Sequence, residues 1–484
     1  MYYLKKLDSH SDYESFIAGG DSEYIMPNIS RCVEEKHVHY NPRPHNYSKD
    51  YFTITSLDNF NIIKITASDS SITKTISAST NNGKSWFEYE SSTNGTTIGV
   101  IDKGKKMLIK GLNDSYGAAS GDAYNNFSMT KNCNIEGNIM SLVDGDNFKE
   151  SFAFRGDYNF AHLFNKCNNI LSIENLILPA TTLSEGCYYN MFYECSSITA
   201  TPKLPARTMT KKCYSGMFFS CNNLSVAPEL PATELAERCY DDMFFNCGLT
   251  EAPELPATRM AKSCYEDMFA GCDIRVAPEL LATELAEGCY EAMFWYNMNL
   301  TVAPELPATE LAERCYFFMF ANTGLIDTPL LLASSLPKNC YRGMFTECEN
   351  LTGSCEISAT SVSDYSCHAM FDGCKKLTKV TSKLPPTTLA PNCYEYMFRN
   401  CESIVTAPEL PALELVNNCY HEMFSSCKSL NYIKAMFTTT PAYSYTGYWV
   451  TSVASTGTFV KNASATWTTT GYHGVPNGWT IVLE

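Results

Sequence analysis

The 484-residue chain is poor in charge, and in basic charge most of all: 18% of its residues are Asp, Glu, Lys or Arg, and 36 Lys plus Arg face 52 Asp plus Glu, a formal net charge of −16. Phosphate-backbone binding needs clustered cations, so no nucleic-acid partner is expected. With 45% apolar residues the shortage of charge does not spell disorder, and a core can be buried. Apolar runs of about 18 residues are lacking, so no membrane span is expected. The first 20 residues turn polar after Lys5 and Lys6 and hold no apolar stretch of a secretory signal. We therefore expect folding in a cytoplasm, where the 22 cysteines stay reduced instead of forming a disulfide framework. No glycine-rich phosphate loop is present and the eight histidines are scattered, so neither a cofactor nor a catalytic set is expected.

What the chain has is a repeat. A Cys-Tyr pair recurs at Cys187, Cys213, Cys239, Cys264, Cys289, Cys315, Cys340, Cys393 and Cys419, in steps of 25 or 26 with one double step of 53. The double step holds a diverged copy, Ser366-Cys367, which makes ten full copies. Met-Phe follows four residues after the first cysteine, from Met191-Phe192 to Met423-Phe424. A second cysteine closes most copies, with Asn297 and Thr323 as exceptions, and Leu163 to Cys167 read as a partial first copy. Leu235, Cys239 and Met243 follow an i, i+4, i+8 rule, which predicts a short helical segment, while residues 224–230 read as extended. One unit cannot bury its own apolar face. Stacked copies can, each large side chain contributing roughly 1.5 to 3 kcal/mol when covered. A period of 20 to 29 residues with this leucine spacing predicts a solenoid.

The LPAT, CY, MF and APEL blocks, spanning residues 157–437, resemble the BspA-like leucine-rich repeats, in the variant of surface and phage fibre proteins of gut Bacteroidales. The resemblance implies a β-rich α/β fold and a role in adhesion or recognition, without naming a ligand. The expected organisation is an N-terminal arm or attachment segment (1–50), a β-sandwich domain (51–150), a leucine-rich-repeat solenoid (151–437) and a small C-terminal β module (438–484) that caps the stack or forms its tip. The sandwich rests on alternating runs at 52–56, 62–66 and 106–110, with a hairpin turn at Asn82-Gly83. Its spacing up to Trp86 resembles a sialidase Asp-box with Asn for Asp. In the arm, His37 and His39 share one face if extended, and three such pairs could surround a metal in a trimer.

A large recognition surface with no export signal fits a virion component, so the expected function is a phage tail or head fibre. It would be made in the host cytoplasm, oligomeric (trimer or dimer), joined to other virion proteins through its N-terminal region, and bound to a bacterial surface glycan or protein receptor. The alternatives are a bacterial cell-surface adhesin and a glycan-cleaving fibre enzyme; the latter needs a carboxylate pair about 5 to 10 Å apart in a cleft.

Two outward features are candidate binding residues. The Glu of the APEL block recurs at Glu229, Glu254, Glu279 and Glu305, four in consecutive copies, flanked in the same column by Lys203 and Leu330. At strand spacing such charges repel by roughly 0.8 kcal/mol per neighbouring pair in water. A solvated face that keeps the array soluble competes there with a cation or basic-partner site. The slots around Met-Phe, mostly small or charged, hold Phe317 and Phe318 in one copy and Trp295 and Tyr296 in its neighbour. An exposed aromatic cluster marks a contact site, against local repacking around the missing cysteines. No metal site is expected from the cysteines: on a helix, eight residues separate two thiols by about 12 Å.

Overall fold

The structure, a computed structural model, describes residues 50–118 and 121–484, all within one compact unit, Tyr47–Glu484. His37, His39 and the rest of the expected arm before Asp50 lie outside the described residues. Two antiparallel sheets open the unit. Strands β1 (Phe52–Ser56), β2 (Asn61–Ala67), β3 (Thr75–Ser79), β4 (Phe87–Glu90), β5 (Thr96–Ile101), β6 (Lys106–Gly111), β7 (Asn125–Met129) and β8 (Cys133–Asn138) pair in the orders β8-β1-β6-β3-β4 and β5-β2-β7. The alternation read at 52–56, 62–66 and 106–110 falls on β1, β2 and β6, whose Ile54, Ile63, Met107 and Ile109 are fully buried in one core. Between β3 and β4 the chain reverses with Asn82 (φ 59°) and Gly83 (φ 77°) both left-handed, which suits Asn-Gly. The connection is seven residues long rather than tight, and Asn81 spans it by accepting from the Ser85 N–H (3.0 Å).

From Tyr158 onward the chain winds into stacked coils, and one side of each coil departs from the expected helix. The segment holding Cys239 and Met243 is a run of four-residue turns. Arg238, Asp242 and Asn246 all have φ between 54° and 57°. Cys239, Met243 and Cys247 each donate to the carbonyl three residues back, closing the turns. The intervening Arg238, Tyr240, Asp242, Phe244 and Asn246 donate to Lys262, Cys264, Glu266, Met268 and Ala270 of the next coil. Most backbone donors of the segment are thereby used, alternating between bonds within the coil and bonds between coils. The i, i+4, i+8 spacing is a period of 4.0 and not 3.6: a helix would rotate such a column by about 40° per step, whereas four-residue turns keep it facing inward. The α-helices among the described residues are single turns at Ser141–Asp144 and Tyr443–Thr446.

Stacking in register builds columns. Phe192, Phe218, Phe244 and Phe269 lie face to face at 5.7 to 5.9 Å with interplanar angles of 6° or less. Tyr188, Tyr214, Tyr240 and Tyr265 do the same at 5.4 to 5.8 Å. All these rings are buried. The tyrosine column is interrupted where Cys367 takes its slot. All cysteines among the described residues are free, and all but Cys355 are buried. The second cysteine of a unit is more than an apolar filler. Its thiol donates to the Phe carbonyl of the preceding coil, as from Cys221 to Phe192 (3.2 Å) and Cys247 to Phe218 (3.0 Å). Burial raises these thiols, Cys195 and Cys272 to about 12, so they remain protonated donors at neutral pH. The two exceptions differ: Asn297 donates its amide to Phe269 O of the preceding coil (2.8 Å), as a cysteine would, whereas Thr323 donates its hydroxyl to Phe320 O of its own coil (2.7 Å).

The other side of each coil is extended. Residues alternate in and out, with Pro228, Leu230 and Ala232 buried and Glu229 exposed. Prolines remove donors there, and neighbouring coils meet mostly in isolated parallel bridges such as Thr208↔Glu234 and Glu251↔Val276. One two-residue pairing adds to them, β11 (Ser335–Leu336) with β12 (Ser361–Val362).

The two ends of the stack are closed differently. At the start, β8 pairs in parallel with β9 (Ile170–Ser172) and β10 (Leu176–Ile177). Tyr116 and Phe160 extend the tyrosine column, while Phe52 and Phe127 cover Phe164. At the far end the repeat signature stops at Phe437, yet coiling continues. Glu422, Phe424 and Ser426 donate to Gly447, Trp449 and Thr451. Then β13 (Tyr432–Ala435), β14 (Thr458–Lys461) and β15 (Thr480–Leu483) form a parallel sheet. Buried Trp449 packs on both Tyr420 and Phe424 and ends both columns. Trp467 and Trp479 are buried too, so the tryptophans of the terminal module are not rings of an exposed tip.

Candidate functional site

With the inward columns nearly constant, what distinguishes one coil from another is carried by the outward slots of the turn side. Counting from the first cysteine of a unit, the slot two residues on holds Tyr189, Ser215, Asp241, Glu266, Glu291, Phe317, Arg342, His368, Glu395 and His421 in successive coils. The slots three and seven residues on are left-handed in every coil. Gly, Asn and Asp tolerate that conformation; other side chains pay roughly 1 to 2 kcal/mol.

Phe318 (φ 50°) and Tyr296 (φ 60°) stand in those slots. Two of the four aromatic residues singled out from sequence thus occupy backbone that disfavours bulky rings, a cost found preferentially where a side chain is needed for something other than stability. Trp295 and Tyr296 meet edge to face at 4.8 Å, and Phe317 and Phe318 at 4.7 Å. Tyr296 is 49% exposed and the other three are half-buried. Among the described residues no ring contact joins the two pairs. Arg314 lies over the Phe317 ring at 4.2 Å and pairs with Glu291, so Phe317 is partly engaged with its own coils while Tyr296 stays free.

The turn side also concentrates carboxylates that sequence reading passed over. Asp241, Asp242, Glu266, Asp267 and Glu291 occupy neighbouring slots of three coils, with Arg238 between Asp241 (2.9 Å) and Glu266 (3.1 Å). Burial, then mutual repulsion, pushes Asp241 up to about 7, Asp242 to about 6 and Asp267 to about 8. Farther along, His368, Glu395 and His421 stack, the two histidine rings 3.6 and 3.3 Å from the Glu395 carboxylate. Burial depresses His368 to about 4 and raises Glu395. The signal for both clusters was present as charged residues in the two slots before Met-Phe, but their adjacency depends on which coils touch.

On the extended side Glu229, Glu254, Glu279 and Glu305 are all exposed, and no ion pair among the described residues involves them. Beyond exposed Leu330 the column changes character. Glu356 accepts from Ser382 N (3.0 Å) and Thr381 Oγ1 (2.9 Å), and Glu409 lies 3.8 Å from both Lys383 and Lys434. The structure therefore separates the sequence-derived candidates into two sites on different sides of the coil, an acidic row and two aromatic pairs.

Among the described residues no group of three His, Cys, Asp or Glu is arranged to hold a metal ion, and no helix is long and apolar enough to cross a membrane. No family model matches this chain. No curated protein matches it either. Among solved structures it is similar to a leucine-rich repeat protein from Eubacterium ventriosum, with 13% identity over 67% of this chain and 82% of that one and a TM-score of 0.35.

Proposed function

We propose that the chain is a nonenzymatic adhesion protein of a phage virion, a tail or head fibre of the BspA-like leucine-rich-repeat type, which grips a bacterial surface glycan or protein through the turn side of its solenoid. One observation carries this reading: inward slots recur almost unchanged, while the outward turn slots differ from coil to coil and accept Tyr296 and Phe318 in left-handed backbone where Asn or Gly would fit without cost. Phe318 also covers Gly343 of the next coil, so the more exposed Tyr296 bears most of this argument. Glycoside hydrolysis needs two carboxylates on either side of a bond, whereas the exposed Glu229, Glu254, Glu279 and Glu305 form a row along a regular face. Oligomeric assembly and attachment through the N-terminal region belong to the same proposal.

The test is adsorption. Fluorescently labelled full-length chain should bind host cells, and a Trp295→Ala, Tyr296→Asn, Phe318→Asn variant, in which Asn preserves the left-handed turns, should bind at least tenfold more weakly with an unchanged melting temperature. Undiminished binding by the folded variant would remove the aromatic pairs from the reading. Antibody labelling of intact particles should decorate fibres; decoration of uninfected cell surfaces instead would favour a cellular adhesin. Release of reducing ends from purified capsular polysaccharide would refute the nonenzymatic assignment.

A further inference from the structure

The first three full coils carry a hollow on their turn side. Its cause is local: the coil of Cys213 has Ser215 and Gly216 where its neighbours have Tyr189 and Asn190 on one side and Asp241 and Asp242 on the other. Gly216 is left-handed (φ 60°), and a Cβ there would collide with the Asn190 side-chain oxygen. Asn190 fills the space over Gly216, while small Ser215 between larger residues lines a cavity of about 350 Å³, at the small end of ligand pockets.

Its walls are chemically mixed. One is the edge of an outer aromatic stack, Tyr193 on Phe219 and Phe219 on Phe245, both at 4.7 Å with interplanar angles of 11° and 2°. These rings are half-buried, unlike the inner columns. Lys212, half-buried, also lines the cavity; its ammonium lies 5.9 Å from the centre of the Tyr189 ring and has no carboxylate partner among the described residues. At the back lies buried Asp241, held by Arg238. Beside it the Asp242 carboxylate has no hydrogen-bond partner among the described residues. The cavity thus offers an uncommitted acceptor, an uncommitted donor and an apolar edge within one small volume.

From this arrangement we propose that the hollow is a binding subsite for a neutral hexose unit of a glycan. Vicinal hydroxyls both donate and accept, matching Asp242 and Lys212 together, while the C–H face of the sugar covers the Tyr193 and Phe219 edges. An anionic sugar would meet Asp241, Asp242 and Glu266 with Arg238 already committed; a cationic one would set its ammonium in the same small volume as the uncommitted Lys212. The source of the sugar, a host surface glycan, rests on the adhesion reading, whereas the chemistry of the subsite does not.

Saturation-transfer NMR on the full-length chain tests it, with glucose, galactose, mannose and N-acetylglucosamine as probes and glucuronate and glucosamine as charged controls. At least one neutral sugar should show transfer. The signal should fall at least fivefold in Asp242→Asn, which keeps the left-handed turn, and in Ser215→Tyr, which fills the hollow with a ring its slot already carries in the preceding coil. Absence of transfer from every neutral sugar, stronger transfer from glucuronate, or equal transfer in both folded variants would overturn the subsite. Cell adsorption without sugar transfer would defeat this inference and leave the adhesion reading standing; sugar transfer without adsorption would do the reverse.

Discussion

The two sides of each coil come from one repeat of 25 or 26 residues, yet they are held by different physics. The turn side joins coils through backbone hydrogen bonds at alternate residues and stacks its aromatic rings face to face. The extended side, punctuated by proline, meets its neighbours at scattered bridges and depends on buried Leu and Ala. A side tied coil to coil through its backbone can vary its outward slots without losing register. That is where Phe318, Tyr296 and the carboxylate cluster are found, while the extended side repeats one acidic residue over four consecutive coils.

This contrast can be broken by mutation. The largest effect is expected in the phenylalanine column: Phe269→Ala should cost about 3 to 5 kcal/mol in denaturant unfolding, against near-neutral truncation of exposed Val276 on the extended side. Next come the donor slots. Asn297→Cys keeps a donor to Phe269 O but strands the buried Ile274 N–H, which Asn297 Oδ1 accepts at 2.9 Å. A loss of about 1 to 3 kcal/mol should follow, whereas Thr323→Cys restores the slot's usual residue and should change stability by no more than about 0.5 kcal/mol.

The turn-side carboxylates should make stability depend on pH with an unusual sign. Asp241, Asp242 and Asp267 have folded pKa values above their unfolded ones, so they bind more protons folded than unfolded. Their stabilisation is fully present below about pH 4 and is lost as pH rises through about 6 to 8. Asp267→Asn, which tolerates φ 53°, should raise the melting temperature at pH 8 and leave it nearly unchanged at pH 4. A larger gain at pH 4 would contradict the cluster. The smallest effect belongs to the acidic row: Glu279→Lys exchanges two repulsions for two attractions, about 3 kcal/mol by Coulomb's law alone, which side-chain mobility and screening reduce to near 1 kcal/mol or below and added salt reduces further.

Much of the architecture could be read from residues alone, and the misreading is instructive. Cys239, Met243 and Cys247 were legible as an inward column, but i, i+4, i+8 was assigned to a helix when the period was 4.0. The discriminating signal lay one residue earlier, in the Asn, Asp or Gly that stands before Met-Phe in five of the ten copies, residues that accept left-handed backbone. Cysteine was read as a small apolar group; Asn297 and Thr323 were clues that the slot requires a donor. The terminal coils escaped because Trp449 replaces the Cys, Tyr, Met and Phe signature with a single large ring.

Period, inward chemistry and the acidic row follow from the order of residues, because burying a repeated apolar face requires copies to stack in register. Which outward side chains become neighbours was decided only by the fold. The hollow at Ser215, the Asp241 to Asp267 cluster and the His368, Glu395 and His421 stack each unite residues about 25 or more positions apart. Their proximity arises from the rise of one coil over another, a distance that no local propensity contains.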